Sequence, residues 1–358
     1  MKIIDILTKE VKIKLRKPFK VAYTTRDYTR VAYVKILTDS GEFGLGEAVP
    51  NAHVTGDTME TIFPVFELLR NALLGTDPCD IEEVHKIMDK TIIANTPAKA
   101  AIDIACYDII GKIKTMPVYK LLGGTKNSVI TDMTIGIDTP EEMAKDAQYW
   151  VKERGFKILK VKCGICEKDD IKALQLIREA VGEDVVLRID ANQGYDSETF
   201  LRMLPMFEEL YIKDIEQPLP YYEYDKIKKL KEYSSIPIMM DESVHSPMQA
   251  EYVFKHDMCD IVNIKLMKCG GIYNALKIAD IAKKYGKKCM VGCMTETQLG
   301  AIAGASVCLS RDNFIEPDLD AHYTFSDWSN TVLGGLKVEE DRLCLGDKAG
   351  FALDEYDF

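Results

Sequence analysis

From about Ser128 onward, short β-rich runs alternate with amphipathic helical stretches, and this alternation restricts the fold more than any other feature. The predicted strands are Val129–Ile137, Phe156–Lys162, Val185–Asp190, Leu210–Glu216, Ile236–Asp241, Ile261–Lys265, Cys289–Cys293 and Asn313–Asp318. A strand that is repeatedly followed by a helix gives parallel β/α architecture. Eight such strands in about 190 residues predict a closed barrel.

Before that point the chain has the pattern of an α+β unit. Apolar and polar residues alternate over Val11–Leu15 and Val31–Leu37, which predicts an antiparallel sheet in residues 1 to about 50. From residue 58 to about 124 the apolar period becomes helical, with one helix that ends at Gly75 and another over Ala98–Lys114. The sequence therefore predicts an α+β unit followed by a barrel.

The charge balance and the lack of long apolar runs exclude several classes of protein. The chain has 46 lysines and arginines against 57 acidic residues, a net charge of −11. Because no run of basic residues forms a stripe, we expect no nucleic-acid partner and no membrane partner. No apolar stretch approaches the roughly 20 residues that span a bilayer. The N-terminus enters a strand pattern directly, unlike a signal peptide.

The cysteines and histidines do not form a recognisable site. Ten cysteines are scattered without a pairing framework, a usage that fits a reducing, cytoplasmic location. The Cys163-Gly-Ile-Cys166 spacing lacks a thioredoxin-like context and a second pair for zinc, so we interpret it as structural. The five histidines are far apart and show no metal-binding or triad spacing.

Polar residues stand at the ends of successive predicted barrel strands. They are Lys160, Lys162, Asp190, Glu216, Asp241, Lys265, Asp318 and Asp320. The steps from Lys162 to Lys265 are 28, 26, 25 and 24 residues, each about one strand, one loop and one helix. Residues at the C-terminal ends of barrel strands converge on one mouth, where such barrels place their active sites. Solvated surface charges would not be expected to recur at the end of each successive strand.

Three of these residues are carboxylates that follow apolar strand residues: Asp190, Glu216 and Asp241. Enclosed together without a cation, they would repel one another and at least one would be protonated. Three oxygen ligands from separate strands, with positions left for water and substrate, suit one Mg²⁺ ion. The alternative is that each carboxylate caps the helix after its strand, but three in register favour the metal.

Lysines stand on the strands that flank those carboxylates. Lys160 and Lys162 face the same way on the strand before Asp190, and Lys265 lies on the strand after Asp241. Mg²⁺ and Lys160 would lower the pKa of Lys162 and make it usable as a base near neutral pH. A single lysine is more often a surface residue with a solvated ammonium group, but placement between ligand strands favours catalytic lysines.

A divalent ion beside two opposed lysines suits removal of the weakly acidic proton α to a carboxylate. The ion and Lys160 would stabilise the enediolate, while lysines on opposite faces remove and return the proton. The sequence therefore predicts 1,1-proton transfer, which is a racemisation or an epimerisation.

Five motifs, in this order, resemble those of the enolase superfamily in its muconate-lactonizing-enzyme subgroup. They are Lys160-Val-Lys162, Asp190-Ala-Asn192, Glu216-Gln-Pro218, Asp241-Glu-Ser243 and Asn263-Ile-Lys265. The resemblance covers essentially the whole chain. It implies an enolase-like α/β fold: an α+β capping domain over residues 1–125 and a (β/α)₇β-barrel, a modified TIM barrel, over residues 126–329. Residues from about 330 to 358 would pack back on the capping domain.

The resemblance also implies roles for the residues at the mouth. Lys162 and Lys265 would be the acid and base, and Lys160 would stabilise the enolate. The ligands of one Mg²⁺ per subunit would be Asp190, Glu216 and Asp241.

Within that subgroup the chain is similar to dipeptide epimerases of the L-Ala-D/L-Glu type. The residues that carry this similarity are Asp318-Leu-Asp320 on the last strand and Val54-Thr-Gly-Asp-Thr58 in the capping domain. In that family the paired aspartates bind the free α-ammonium group, and two carboxylates two residues apart on a strand can hold one cation. Alternatively the aspartates are a strand end and a helix cap, and some N-acylamino-acid racemases carry a similar motif. The resemblance implies further substrate contacts at Thr134, Cys293 and Thr295.

One motif departs from the family pattern. Glutamate-selective members carry an arginine within a string like Phe-Lys-x-Ala-x-Arg, whereas Phe19-Lys-Val-Ala-Tyr23 is followed here by Thr24. The bidentate partner of a side-chain carboxylate is therefore missing, and we expect a C-terminal residue that is not restricted to glutamate. Arg26 or Arg30 would be its substitute. Tyr23 and His53 would form an apolar or aromatic pocket, or else pack between the loop and the barrel.

Two rival functions stay open at this point. An N-succinylamino-acid (N-acylamino-acid) racemase, or an o-succinylbenzoate synthase, would use the same site but leave Asp318 and Asp320 without a cation to hold. A non-catalytic barrel scaffold would lack ligands or bases, and the sequence lacks none of them. The expected partners are a dipeptide substrate and, by resemblance, further copies of the chain in a homo-oligomer.

Overall fold

The first third of the protein is an antiparallel sheet covered by helices. The computed structural model describes residues 1–21, 24–328, 331–354, 356 and 358. The sheet has the order β1 (Ile3–Val21), β2 (Thr24–Thr38), β3 (Phe43–Ala48). The helices that follow are α1 (Met59–Leu73), α2 (Ile81–Thr91), α3 (Thr96–Ile113) and α4 (Val118–Leu121). The predicted sheet and the helices predicted to end near Gly75 and Lys114 are confirmed.

Helix α3 lies directly on β3, and glycine permits the close approach. A Cβ atom at Gly46 would lie 1.9 Å from the carbonyl oxygen of Ala101, so a larger residue would separate the two elements. This packing fixes the position of β3, whose Glu47 reaches the barrel at the N-terminus of its last helix.

Parallel strands form the wall of the barrel. Among the described residues they are β5 (Met133–Ile135), β6 (Ile158–Lys162), β7 (Val186–Asp190), β8 (Ile212–Glu216), β9 (Ile238–Met240), β10 (Ile261–Lys265) and β11 (Lys288–Gly292), in chain order. The helices are α5 (Pro140–Lys152), α6 (Glu167–Val181), α7 (Ser197–Glu209), α8 (Tyr224–Tyr233), α9 (Pro247–Lys255), α10 (Leu266–Cys269), α11 (Ile272–Lys284) and α12 (Gln298–Cys308). The predicted parallel α/β barrel is confirmed.

The predicted strand Val129–Ile137 is in fact two strands in different sheets. The first, β4 (Ser128–Ile130), pairs antiparallel in a sheet of the order β12 (Leu336–Glu339), β13 (Arg342–Leu345), β4. Strand β5 then begins the barrel. The chain changes partners between the two because Thr131 N–H donates to Asp341 O and Asp132 N–H donates to Pro317 O.

The predicted strand Asn313–Asp318 closes the barrel without forming a continuous ladder. It makes two isolated parallel bridges to β11, from Phe314 to Cys289 and from Asp318 to Gly292. Pro317 lies between them and has no N–H group to donate to a ladder. The segment is therefore a weak eighth member of the barrel wall.

The C-terminal residues contact both parts of the chain. After a 3₁₀ helix (Ala321–Thr324), β12 and β13 extend the sheet that contains β4. Further on, Phe351 N–H donates to the Asp108 carboxylate of α3 at 3.0 Å. The domain boundaries at residues 125 and 329 stay predictions. None of the helices in the described ranges is both long and apolar enough to cross a membrane.

Candidate active site

Two lysines form ion pairs with carboxylates on opposite sides of the barrel mouth. Strand β6 ends in Lys160-Val-Lys162, and alternate strand residues share a face, so both ammonium groups reach the interior. Lys162 Nζ lies 2.6 Å from Asp190 Oδ2. Four strands away, Lys265 Nζ lies 2.7 Å from Asp241 Oδ2. All of these side chains are buried.

The third lysine connects the carboxylates of the mouth with the closing segment. Lys160 forms an ion pair with Asp318 and lies 3.9 Å from Glu216 Oε2. Burial acts to lower the pKa of Lys160, but the neighbouring Asp318 and Glu216 carboxylates raise it well above its ordinary value. Lys160 is therefore a fixed positive charge inside the site.

The three predicted metal ligands lie on adjacent strands. The register of β7 and β8 places Asp190 beside Glu216, and Asp241 directly follows the next strand, β9. Asn263 Nδ2 donates to Glu216 Oε1 at 2.7 Å. The other oxygen, Oε2, is buried and accepts no hydrogen bond from any described residue. A buried carboxylate oxygen without a donor is a position at which a cation could bind.

The mouth carries more negative than positive groups. Among the described residues it holds four buried lysines, Lys160, Lys162, Lys265 and Lys268, and six buried carboxyl groups, Asp190, Glu216, Asp241, Glu242, Asp318 and Asp320. Full ionisation would leave two negative charges in excess. Burial and neighbouring carboxylates raise the pKa of Glu216 to about 8 and that of Glu242 to about 7. One divalent cation would neutralise this excess.

The ion pair with Asp190 raises the pKa of Lys162. Burial acts to lower this pKa, and so does Lys160, as predicted, but Asp190 raises it and the net pKa lies above the ordinary value of a lysine. The prediction of a lowered pKa included Mg²⁺ beside Lys162, so for the metal-bound site it stays a prediction. The direct ion pair with Asp190 was not predicted from the sequence.

The predicted substrate contacts line one cavity of about 50 Å³ above these charges. Its walls are Phe19, Thr134, Lys160, Lys162, Lys265, Cys293, Met294, Thr295, Asp318, Asp320, Ala321 and Thr324. A second cavity of about 70 Å³ shares six of these residues and adds Val21, Thr24, Arg26, Asn51 and Asn192. The two cavities together extend from the lysines to the hairpin of β1 and β2.

Asp318 and Asp320 converge with Cys293 at one end of the first cavity. One side-chain oxygen of each aspartate and Cys293 Sγ all lie within 4.8 Å of one another. Thr134 N–H donates to Asp320 Oδ2 at 2.6 Å, and Thr134 Oγ1 lies 3.5 Å from Asp318 Oδ1. Burial and Asp318 raise the pKa of Asp320 to about 6. This end of the cavity can therefore bind a positively charged group.

The predicted specificity residues divide into two groups. Thr24 and Arg26 line the second cavity, and Arg26 is paired with Phe19 in the hairpin. Arg30 instead lies 2.6 Å from Glu10 and also pairs with Glu60. His53 is exposed, and its neighbour Asn51 lines the cavity. Tyr23 lies outside the described residues.

Sequence reasoning missed two buried cations. Lys268, one helical turn after Lys265, lies 2.5 Å from Asp241 Oδ1 and donates to the carbonyls of Val244 and Asn263. A second lysine so close to a strand end was the available signal. Arg188, two residues before Asp190, is buried inside the barrel. Its signal was an arginine in an otherwise apolar strand.

Comparison with known proteins places the chain in a family. The model described as "Mandelate racemase / muconate lactonizing enzyme, N-terminal domain" matches residues 3–123, and the model described as "Enolase C-terminal domain-like" matches residues 142–355. An L-Ala-D/L-Glu epimerase from Clostridium acetobutylicum is 40% identical over 98% of both chains. An N-succinyl-L-Arg/Lys racemase from Bacillus cereus is 36% identical over 99% of this chain and 95% of its own.

A solved structure agrees with the fold. The dipeptide epimerase from Enterococcus faecalis V583, complexed with Mg and L-Leu-L-Tyr, has a TM-score of 0.96 and 39% identity and covers 99% of this chain and 100% of its own. The predicted enolase-like fold, a modified barrel with an α+β unit, is therefore confirmed. The chain belongs to the enolase superfamily, in the mandelate racemase and muconate lactonizing enzyme family, and it is an isomerase of the epimerase and racemase type that acts on amino-acid derivatives.

Proposed function

We propose that the protein is a Mg²⁺-dependent dipeptide epimerase that converts L-Ala-L-Xaa into L-Ala-D-Xaa by 1,1-proton transfer. The observation that carries this proposal is that Lys162 and Lys265, from opposite sides of the barrel, line the same cavity as Asp318 and Asp320. Two opposed lysines can exchange a proton on either face of one carbon atom. The two aspartates can hold the free amine that distinguishes a dipeptide.

The donor set fits Mg²⁺. Asp190, Glu216 and Asp241 supply carboxylate oxygens, which are the ligands that this hard cation prefers. The buried, unpartnered Glu216 Oε2 and the two excess negative charges support a divalent ion at this position. When bound, the ion supplies positive charge that stabilises the enediolate form of the substrate carboxylate.

The lysines hold and move the proton. Burial lowers the pKa of Lys162 and of Lys265, whereas Asp190 and Asp241 raise it. A lysine whose carboxylate partner is engaged elsewhere loses that stabilisation and can act as a base near neutral pH. One lysine then removes the α-proton as the other protonates the opposite face. Lys160, a permanent cation, stabilises the negative charge that develops between them.

The aspartates of the closing segment bind the substrate ammonium group. Asp318 and Asp320 are buried, converge within 4.8 Å and carry more acceptor oxygens than Thr134 and Lys160 occupy. A charge-assisted hydrogen bond from an ammonium group would satisfy them. Cys293 and Thr295 complete this part of the cavity.

We propose that the C-terminal side chain is not restricted to glutamate. The second cavity has apolar walls from Phe19, Val21 and Met294 and has Thr24 where glutamate-selective members have arginine. The Arg26 guanidinium on the same wall can donate hydrogen bonds to a polar or acidic side chain of the substrate. The L-Leu-L-Tyr complex of the related epimerase supports an aromatic side chain at this position.

An N-succinylamino-acid racemase is the second candidate, since one such racemase is among the relatives. Its substrate has no free amine, so Asp318 and Asp320 would face a neutral amide. An o-succinylbenzoate synthase would need the metal and one base but not two opposed lysines. A non-catalytic scaffold would need none of the buried charges. The buried aspartate pair therefore favours the dipeptide.

The test is α-proton exchange in D₂O with Mg²⁺, followed by mass spectrometry. L-Ala-L-Xaa dipeptides would be compared with N-succinylamino acids, with Lys162→Ala and Lys265→Ala as controls. A gain of one mass unit in the L-Ala-L-Xaa dipeptides that requires metal and is lost in only one of the two lysine variants would support the proposal. Exchange in the N-succinyl compounds alone would move the assignment to the second candidate, and exchange in neither would refute both.

A further inference from the structure

Side chains, rather than the main chain, hold the seam at which the barrel closes. The seam lies between residues 131–135 and segment 313–320. Among the described residues a single backbone hydrogen bond crosses it, from Asp132 N–H to Pro317 O at 3.1 Å. Thr131 Oγ1 donates to Pro317 O and accepts from Leu319 N–H. Asp318 and Asp320 belong to this segment, so the seam decides where their carboxylates lie.

Arg188 spans the same seam from inside the barrel. Its side chain is 2% exposed, and Nη1 donates to Asp132 Oδ2 at 3.1 Å and to Glu316 O at 2.8 Å. Its Nε lies 3.2 Å from Asp214 Oδ2. Because Arg188 precedes Asp190 by two residues on β7, it points into the barrel one layer beneath the mouth. One guanidinium therefore joins Asp132, which directly precedes β5, to the closing segment.

The stability of the fold does not account for this ionic layer. The neighbouring cluster of Met239, Ile261, Met290 and Ile315 is apolar, and Met290 Sδ lies 3.6 Å from Arg188 Nη1. Well-packed apolar residues can replace buried ion groups of similar volume without loss of stability, because ions lose their hydration. What a planar guanidinium adds is fixed geometry, since it orients several donors at once.

We propose that Arg188 is a positioning residue for the active site. By holding Asp132 and the Glu316 carbonyl together, it fixes the closing segment and so places Asp318, two residues further on, together with its ion-pair partner Lys160. This inference rests on the proposed function, in which Asp318 binds the substrate ammonium group and Lys160 stabilises the enediolate.

The test removes the contact without leaving an unpaired buried charge, since the Glu316 carboxylate, which Arg188 Nη2 also contacts at 3.2 Å, is 53% exposed. In Arg188→Met/Asp132→Asn/Asp214→Asn, we expect KM for an L-Ala-L-Xaa substrate to rise at least about tenfold in the folded protein. A merely structural role would reduce the amount of folded enzyme and leave KM unchanged. Asp214→Asn alone keeps both seam contacts, and Met239→Leu changes the apolar cluster, so each should keep KM within about twofold.

A second variant keeps the test decisive if the triple variant does not fold. Arg188→Lys retains the charge but lacks the planar fork that orients two donors, and we expect the same rise in KM. An unchanged KM in a folded variant of either kind overturns the proposal. Absence of α-proton exchange in the unmodified protein would instead overturn the proposed function, and it is measured before any substitution.

Discussion

The carboxyl group of Glu296 is expected to make the protein less stable as the pH rises. Glu296 is 4% exposed in the loop after β11, and its Oε2 accepts no hydrogen bond from any described residue. Glu47 of β3 lies nearby and accepts from Thr297 N–H and Gly300 N–H, each at 3.0 Å. Burial and then Glu47 raise the pKa of Glu296 to about 8. The folded protein therefore holds this proton more tightly than the unfolded chain does.

The size of the loss in free energy of unfolding follows from the change in the pKa of Glu296 on folding. Between an unfolded pKa near 4.5 and a folded pKa of about 8, the folded state binds more protons, so the free energy of unfolding falls as the pH rises. At about 1.4 kcal/mol per pKa unit, ionised Glu296 costs up to roughly 5 kcal/mol. The side chain in Glu296→Gln is uncharged at every pH, so this contribution to the fall in the free energy of unfolding should be absent from the variant. The free energy of unfolding of the variant, relative to that of the wild type, should therefore increase by about 2 to 5 kcal/mol between pH 5 and pH 9.

Urea unfolding at several pH values, followed by tryptophan fluorescence, measures this difference. Glu232→Gln on α8 is the matched control, because Glu232 is exposed. The difference in free energy of unfolding between this control and the wild type should be nearly constant with pH. If the difference in free energy of unfolding between Glu296→Gln and the wild type also changes by less than about 0.5 kcal/mol over this pH range, Glu296 is not a protonated buried acid and the prediction is wrong.

The remaining predictions concern the reaction. Lys162→Ala and Lys265→Ala should each lower epimerisation at least about 10³-fold, and each should retain α-proton exchange from only one epimer in D₂O; exchange from both epimers would contradict the two-base assignment. Asp320→Asn should raise KM for dipeptides about tenfold or more, measured by a coupled chiral assay, and an equal change with an N-succinylamino acid would refute its role. Glu216→Gln should weaken Mg²⁺ binding in calorimetry at least about tenfold, whereas an unchanged affinity would remove it from the ligand set. Thr24→Arg should shift selectivity toward L-Ala-L-Glu about tenfold, which competition between dipeptides would measure.

The periodicity of the sequence was sufficient to predict the barrel and most of the charged residues of its mouth, although it did not reveal Lys268 or Glu242. A strand, loop and helix take about 25 residues, so any residue that recurs at that step must lie at the same end of the wall. Asp190, Glu216 and Lys265 therefore come together in the structure as predicted. Their proximity depends on topology, which the pattern encodes directly.

The start of the barrel is where the local sequence pattern predicted the strands poorly. Residues 129–137 are uniformly strand-like in composition, yet the chain leaves one sheet and enters another at Thr131 and Asp132. No local signal marks that change, because it depends on partners elsewhere in the chain: β4 pairs with β13, about two hundred positions away, whereas β5 pairs with β6, 26 positions away. The role of Arg188 is hidden for the same reason.

The fold class, the order of the strands and most of the charged groups at the mouth could be predicted from the sequence, because each follows from a repeat along the chain. Which of these charges form ion pairs depends on the three-dimensional arrangement. Lys162 contacts Asp190 and Lys160 contacts Asp318, so these carboxylates raise the pKa of the two lysines. The physical reason is that the energy of a buried ion pair depends on separations of a few ångströms and on burial, and neither is encoded in distance along the chain.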